Sequence, residues 1–231
     1  MRFNDTELNS LSYKNALILD KRSYSQYYIS LLKSGHLFIF SFLNKEDYNN
    51  RVMKIYLFFF FFSIYITVNA LFFNDSAMHK IYLDEGDFNF IYQIPQILYS
   101  SLISGAIKGG IKFISLSEKK IIDLKQEKNI TSFNVKAKQL FKILKIKFIL
   151  SFFLIFILLS GFGYYISCFC GIYINTQLHL IKDSIISFTL SLITPFFIDL
   201  IPGIFRMIAL KSKKRDKDCL YKFSKVIQII A

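Results

Sequence analysis

Tryptophan is absent from this chain, and its 231 residues include only three prolines, nine glycines and three cysteines. Cys168, Cys170 and Cys219 are too few for a disulfide framework, and the first two lie too close in sequence for an easy bridge. No glycine-rich phosphate loop occurs, and no Cys-x-x-Cys, His-Glu-x-x-His or Gly-x-Ser-x-Gly pattern. The histidines, His36, His79 and His179, are scattered. No catalytic residue, metal site or cofactor is expected, and the chain reads as a non-enzyme.

Acidic residues are also short, with 16 Asp/Glu against 29 Lys/Arg and a net charge of +13. An AT-rich coding bias toward Phe, Ile, Lys, Asn and Tyr accounts for part of that excess, but its placement still carries information. Nothing at the start reads as a signal peptide, since the first apolar run, Leu37 to Leu43, is short and distant from the N-terminus. Transit and prenylation signals are missing too. The first true span is expected to act as its own insertion signal.

What is abundant is apolar: 53% hydrophobic and 18% aromatic residues, a membrane composition. Ile55 to Phe73 holds 19 uncharged residues, including phenylalanine at every position from Phe58 to Phe62. At about 1.5 Å per residue it reaches roughly 28 Å, enough to cross the hydrocarbon core. Further spans are expected over 91–116, 148–170 and 184–210. The fold class is therefore an all-α polytopic membrane protein with four transmembrane helices, plus short juxtamembrane amphipathic helices. The expected divisions are a cytosolic segment 1–54, a membrane domain 55–210 with a basic loop 117–147, and a polybasic tail 211–231.

Charge sets the orientation. Residues 1–54 carry eight Lys/Arg, residues 117–147 nine, and the tail from Lys211 seven. The 74–90 connection has only Lys80 against Asp75, Asp84, Glu85 and Asp87, and 171–183 has only Lys182. The positive-inside rule then places both termini and the middle loop in the cytosol.

Asp199 stands in the fourth apolar stretch between Pro195 and Pro202, and a carboxylate in lipid costs several kcal/mol unless paired or wet. Each proline removes a helix hydrogen bond and leaves carbonyls free nearby, as in transporter ion sites. The competing reading is a kinked helix whose acid faces packed neighbours or the interface. Lys108 and Lys112 lie where long side chains snorkel to the cytosolic surface. Alternatively Lys108 pairs with Asp199, since the two differ in depth by only a few ångströms at about 1.5 Å per residue.

Ser101, Gly105 and Gly109 form one small-residue stripe, expected to be a packing seam within the chain rather than a dimer face. Gly161 and Gly163 offer the third span a weaker flexing or packing signal. Glu118 to Lys128 reads as a helical extension. In Lys136 to Lys147, Lys138, Lys142 and Lys145 share one face opposite Leu140, Ile143 and Leu144. That pattern suits an anionic leaflet, a calmodulin-like partner or a plain juxtamembrane lysine collar. Lys211, Lys213, Lys214, Arg215 and Lys217 follow the last span and suit anionic lipid, with Cys219 placed for palmitoylation. Nucleic acid is not an expected partner, because the aromatics are not interleaved with the basic clusters. His79, His179, Asp84, Glu85 and Asp87 share the outer side, either as a divalent-ion site or as a solvated acidic loop. Asn4, Asn74 and Asn129 head glycosylation sequons, and only Asn74 faces outward.

Thr67-Val-Asn-Ala-Leu-Phe-Phe73 resembles the end of the first membrane helix in the receptor-like branch of the polycystin family. Tyr164-Tyr-Ile-Ser-Cys-Phe-Cys-Gly-Ile-Tyr173 resembles the aromatic end of a later helix there. Asp183-Ser-Ile-Ile-Ser-Phe188, followed by Leu200-Ile-Pro202, resembles its Ser-Phe helix with a proline near the cytosolic end. The resemblance covers about residues 51–210 and implies a plasma or ciliary membrane. The chain is also similar to a recurrent C-terminal four-helix module of large protist surface proteins. It departs from the polycystins in having too short an N-terminal segment for their β-sandwich and no room for six further helices after Leu210. Asp199 inherits no role from the family.

The expected function is an anchoring or interaction module of a larger receptor or channel assembly, with a membrane-protein partner or a second copy. An ion or proton conductor using Asp199, and a sensor of anionic inner-leaflet lipid, are the alternatives.

Overall fold

The computed structural model describes residues 3–125, 130–211 and 217–230, and among these no strand forms. Four stretches are long and apolar enough to cross a membrane: Arg51–Leu71, Phe90–Lys125, Phe133–Ile172 and Ile174–Lys211. They correspond to the four spans expected from hydropathy.

The chain forms two compact units, residues 1–54 with 192–231, and residues 55–191. This division cuts across the expected boundaries 1–54, 55–210 and 211–231. Residues 192–210 and the tail helix belong with the N-terminal segment, because their contacts are made there.

The first unit begins with α1 (Asp5–Ser10), α2 (Tyr13–Leu19) and α3 (Tyr24–Gly35). Asn4 and Ser23 start α1 and α3 with reciprocal capping boxes, through Glu7 and Gln26. Such caps satisfy two orphan amide donors at once and explain why a short polar stretch holds helices. A π-helical turn follows at Ile39–Leu43, and the unit takes in the first residues of α4 (Arg51–Leu71). Lys54 there is 2% exposed, its ammonium paired with Asp47 at 2.8 Å and capped by Asn44 O at 2.7 Å. The C-terminal part supplies the end of α9 (Gln177–Ile198), then α10 (Leu200–Lys211) and α11 (Asp218–Ile230). Leu11, Ala16, Ala209 and Tyr221 form a core where these helices meet.

The second unit holds most of α4 and α9, with α5 (Asp75–Leu83), α6 (Phe90–Ser115), α7 (Glu118–Lys125) and α8 (Ile130–Ile172). Aromatic edges join it. Phe188 receives Phe58, Phe62 and Tyr65 edge-on, with ring centroids 5.2 to 5.7 Å away. Phe60 stacks on Phe162 and Tyr56 on Phe152. Each such pair adds about 0.5–1.5 kcal/mol beyond area burial. The phenylalanine run is thus partitioned by helical period: Phe60 and Phe61 are wholly buried, whereas Phe59 is 59% exposed.

α8 runs unbroken for 43 residues, about 64 Å at 1.5 Å per residue against a hydrocarbon core of roughly 30 Å. The basic segment Lys136 to Lys147 is the opening of this helix. Asn74 and Asn89 cap α5 and α6 by accepting from the Ala77 and Tyr92 amides. Two sequon asparagines, Asn4 and Asn74, therefore act as helix caps, and Asn129 lies outside the described residues.

Candidate functional site

In the first unit the side chains around Arg206 make a closed charged knot. Arg206 is fully buried on α10, and Asp20, just past α2, has a fully buried side chain. The guanidinium donates to Asp20 Oδ2 from Nη2 at 2.7 Å and from Nε at 3.1 Å, and to Leu8 O at 2.8 Å. Its plane lies between the rings of Tyr27 and Tyr221, 4.6 and 4.9 Å from their centroids. A flat, weakly hydrated guanidinium suits such a slot where an ammonium does not. Arg22 holds the other side of Asp20, with Nε 2.8 Å from Oδ1, and reaches Asp5 at 3.3 Å. Lys33 also reaches Asp5 at 3.3 Å, so three cations face the two carboxylates. Burial pushes Asp20 toward protonation, but the hydrogen bonds and charges of Arg22 and Arg206 outweigh it and hold the carboxyl below its usual range. Burial pushes the Tyr221 phenol up to about 12, so its hydroxyl stays a donor to Leu11 O, 2.8 Å away.

The same unit grips the helix break that the sequence places at Asp199. α9 ends at Ile198 and α10 begins at Leu200. Tyr28 donates to Phe196 O at 2.9 Å, Tyr24 to Leu200 O at 3.1 Å and Ser224 to Pro202 O at 2.8 Å. Hydroxyls from α3 and α11 thus occupy carbonyls on both sides of the break. Asp199 is 4% exposed, and a Cβ built on Gly35 would lie 3.4 Å from its Oδ2. The acid faces packed protein on α3. Pro195 lies inside α9 and Pro202 is buried in α10.

In the second unit the fully buried polar groups are almost all neutral. His179, Asp183, Ser187 and Ser191 recur every fourth residue along α9, a row of about 18 Å at 1.5 Å per residue. Asn69 on α4 is fully buried and donates to Tyr65 O at 2.8 Å and to Ser187 Oγ at 3.2 Å. It accepts from Ser100 Oγ of α6 at 2.8 Å. One turn along, Asp183 is fully buried and receives Gln96 Nε2 at 3.0 Å. Gln93, with its amide nitrogen turned toward the carboxylate, donates to Oδ1 at 2.9 Å and to Oδ2. Its partners are amides rather than a cation. His179 Nε2 lies 3.0 Å from Gly86 O and so carries the proton; its buried Nδ1 has no partner among the described residues.

The other expected residues fall as follows. Ser101 donates to Ser187 O at 3.4 Å, but a Cβ built on Gly105 or Gly109 meets nothing within 4 Å. Among the described residues nothing stands against the Cβ positions of those two glycines, so that end of the stripe is open. Lys108 lies on α6 among these residues, and within its own unit no described carboxylate pairs with it. Lys138, Lys142 and Lys145 are exposed along α8, as is Lys211 at the end of α10. Lys217 is half-buried, and Cys219 is an exposed free thiol on α11. Lys213, Lys214 and Arg215 lie outside the described residues. His179 turns inward to Gly86 rather than joining an exposed acidic cluster.

Sequence reasoning passed over Arg206, although it is the single cation between Asp183 and Lys211. Its partner, 186 positions away, has no local signal. No known family, no curated protein and no solved structure matches this chain.

Proposed function

We propose that this chain is a non-enzymatic, multi-pass membrane protein that anchors and joins a larger receptor or channel assembly. Both termini and residues 117–147 face the cytosol in this reading. The observation that carries it is the open stripe on α6. Gly105 and Gly109 leave the backbone bare, and lipid gives apolar helices no reason to associate except close packing. A smooth, unfilled strip is where the helix of another membrane protein, or of a second copy, approaches closely.

The runs 67–73, 164–173 and 183–188 that carry the polycystin resemblance meet within the second unit. Asn69 of the first run bonds Ser187 of the third, and Phe73 of the first lies edge-on to Phe169 of the second, 5.7 Å away.

Gly105→Leu and Gly109→Leu test the proposal. Each should shrink the native complex measured in lipid discs while leaving the chain folded. A complex of unchanged size would sink it.

A second reading, ion or proton handling, is favoured by Asp183 rather than by Asp199. Asp183 is a buried carboxylate held by amides alone. An Asp183→Asn variant that abolishes a measurable flux in vesicles, with assembly intact, would put this reading first.

A further inference from the structure

α6, α7 and α8 enclose a groove of about 540 Å³ whose lining is ordered along α8. Lys147 of α8 and Lys120 of α7 both line it, with Ile143 and Ile146 on the side of Lys147 nearer the start of α8. One turn further along α8 is Ser151, with Leu150 just before it, and Leu154 and Ile157 beyond it continue the wall. Positions 147, 150, 151, 154 and 157 share one face by the helical period. No carboxylate lines the groove. The two ammonium groups lie close enough to repel each other. Lys147 donates to Leu116 O at 2.6 Å, which leaves two of its three donors. Ser151 is 2% exposed, yet its hydroxyl has no hydrogen-bond partner among the described residues. A serine in a helix normally satisfies itself on its own backbone, so an unsatisfied hydroxyl lining a groove calls for an acceptor.

We infer that this groove binds one anionic phospholipid, its phosphate between Lys120 and Lys147 and an ester oxygen on the Ser151 hydroxyl. The acyl chain lies along Leu150, Leu154 and Ile157. From Lys147 onward the groups fit an amphiphile: a pair of cations, a lone donor about 6 Å further along α8 at 1.5 Å per residue, and an apolar wall that continues past it. A free anion would use the lysines and leave the apolar wall bare. The exposed lysines 138, 142 and 145 lack such a wall, so they attract a leaflet without selecting a molecule. This inference rests on α8 being a membrane helix and on no part of the anchoring role.

The test is native mass spectrometry of the full chain, reconstituted in phosphatidylcholine vesicles containing a minority of phosphatidylserine and then extracted in neutral detergent. The wild type should retain a single phosphatidylserine. Lys120→Ala/Lys147→Ala should weaken that retention about 25-fold, at about fivefold per lysine, whereas Lys138→Ala/Lys142→Ala should leave it unchanged. Ser151→Leu keeps both lysines and the Leu116 contact, fills the groove, and should also expel the lipid. Unchanged retention in either groove variant, or equal retention of phosphatidylcholine, overturns the site. Displacement of the lipid by glycerol 3-phosphate overturns it in favour of a plain anion site. A chain recovered outside the membrane fraction removes both this inference and the membrane reading, whereas a chain inserted without the lipid removes only the former.

Discussion

The two units bury polarity by opposite means. The first buries formal charge and pairs it: Arg206 and Arg22 against Asp20, with tyrosine rings against the Arg206 guanidinium. The second buries hydroxyls and amides, Asn69 with Ser100 and Ser187, and leaves a single carboxylate to two glutamines. Neutral groups cost less to desolvate than charges, and the loss of one partner among them costs less. An ion pair is secure only while every partner is present, because the survivor is left charged in a dry place. The first unit should therefore be brittle to single substitutions and to acid, and the second forgiving.

The sharpest way to break that contrast is Arg206→Met. It leaves Asp20 half-compensated and empties the slot between Tyr27 and Tyr221, at a cost of about 3–5 kcal/mol. Thermal unfolding in lipid discs measures it, and Asp20→Asn added to Arg206→Met should recover part of the loss. Full additivity of the two changes would mean that the pair is not a unit.

Acid is the next probe. The folded-state pKa of Asp20 is lowered, so its contribution is fully present above the unfolded value of about 3.9 and is lost as pH falls through the folded value. Hydrogen exchange should show residues 3–35 and 192–211 losing protection below about pH 4 before residues 55–191 do. Asp20→Asn should remove that difference.

Gly203→Ala is smaller. The new Cβ would stand 2.8 Å from Tyr24 Cε2, and the ring that must move carries the hydroxyl bound to Leu200 O. Overpacking of about 1–3 kcal/mol outweighs the gain of roughly 1 kcal/mol in helix propensity. A net loss of stability is expected, and Tyr24→Ala should reverse its sign.

Ser100→Ala should have the smallest effect, about 0.6 kcal/mol, the usual worth of an interhelical hydrogen bond in a membrane. A loss as large as that of Arg206→Met would show the neutral seam to be as brittle as the charged knot.

Much of the architecture is legible along the chain. The runs around Phe58 to Phe62 and Phe148 to Cys170 are so apolar that only a spanning or deeply buried helix accommodates them. Asn4, Ser23, Asn74 and Asn89 start helices through side-chain oxygens that satisfy nearby amides, a signal the sequence reading passed over when it took Asn4 and Asn74 as glycosylation sequons. Asp199 was legible as a costly acid between prolines, but which groups face it was not. The stripe of Ser101, Gly105 and Gly109 was visible as a smooth strip, and only the packing shows that its glycines are left open.

By itself the sequence determined the four apolar stretches and the excess of positive charge on alternate connections, because hydropathy and charge act over a few residues. The tertiary structure decided which buried charges meet. Asp20 finds Arg206 across 186 positions, and Asn69 finds Ser187 across 118. The cost of an unpaired polar group is set by what surrounds it in space, and no local window of sequence contains that information.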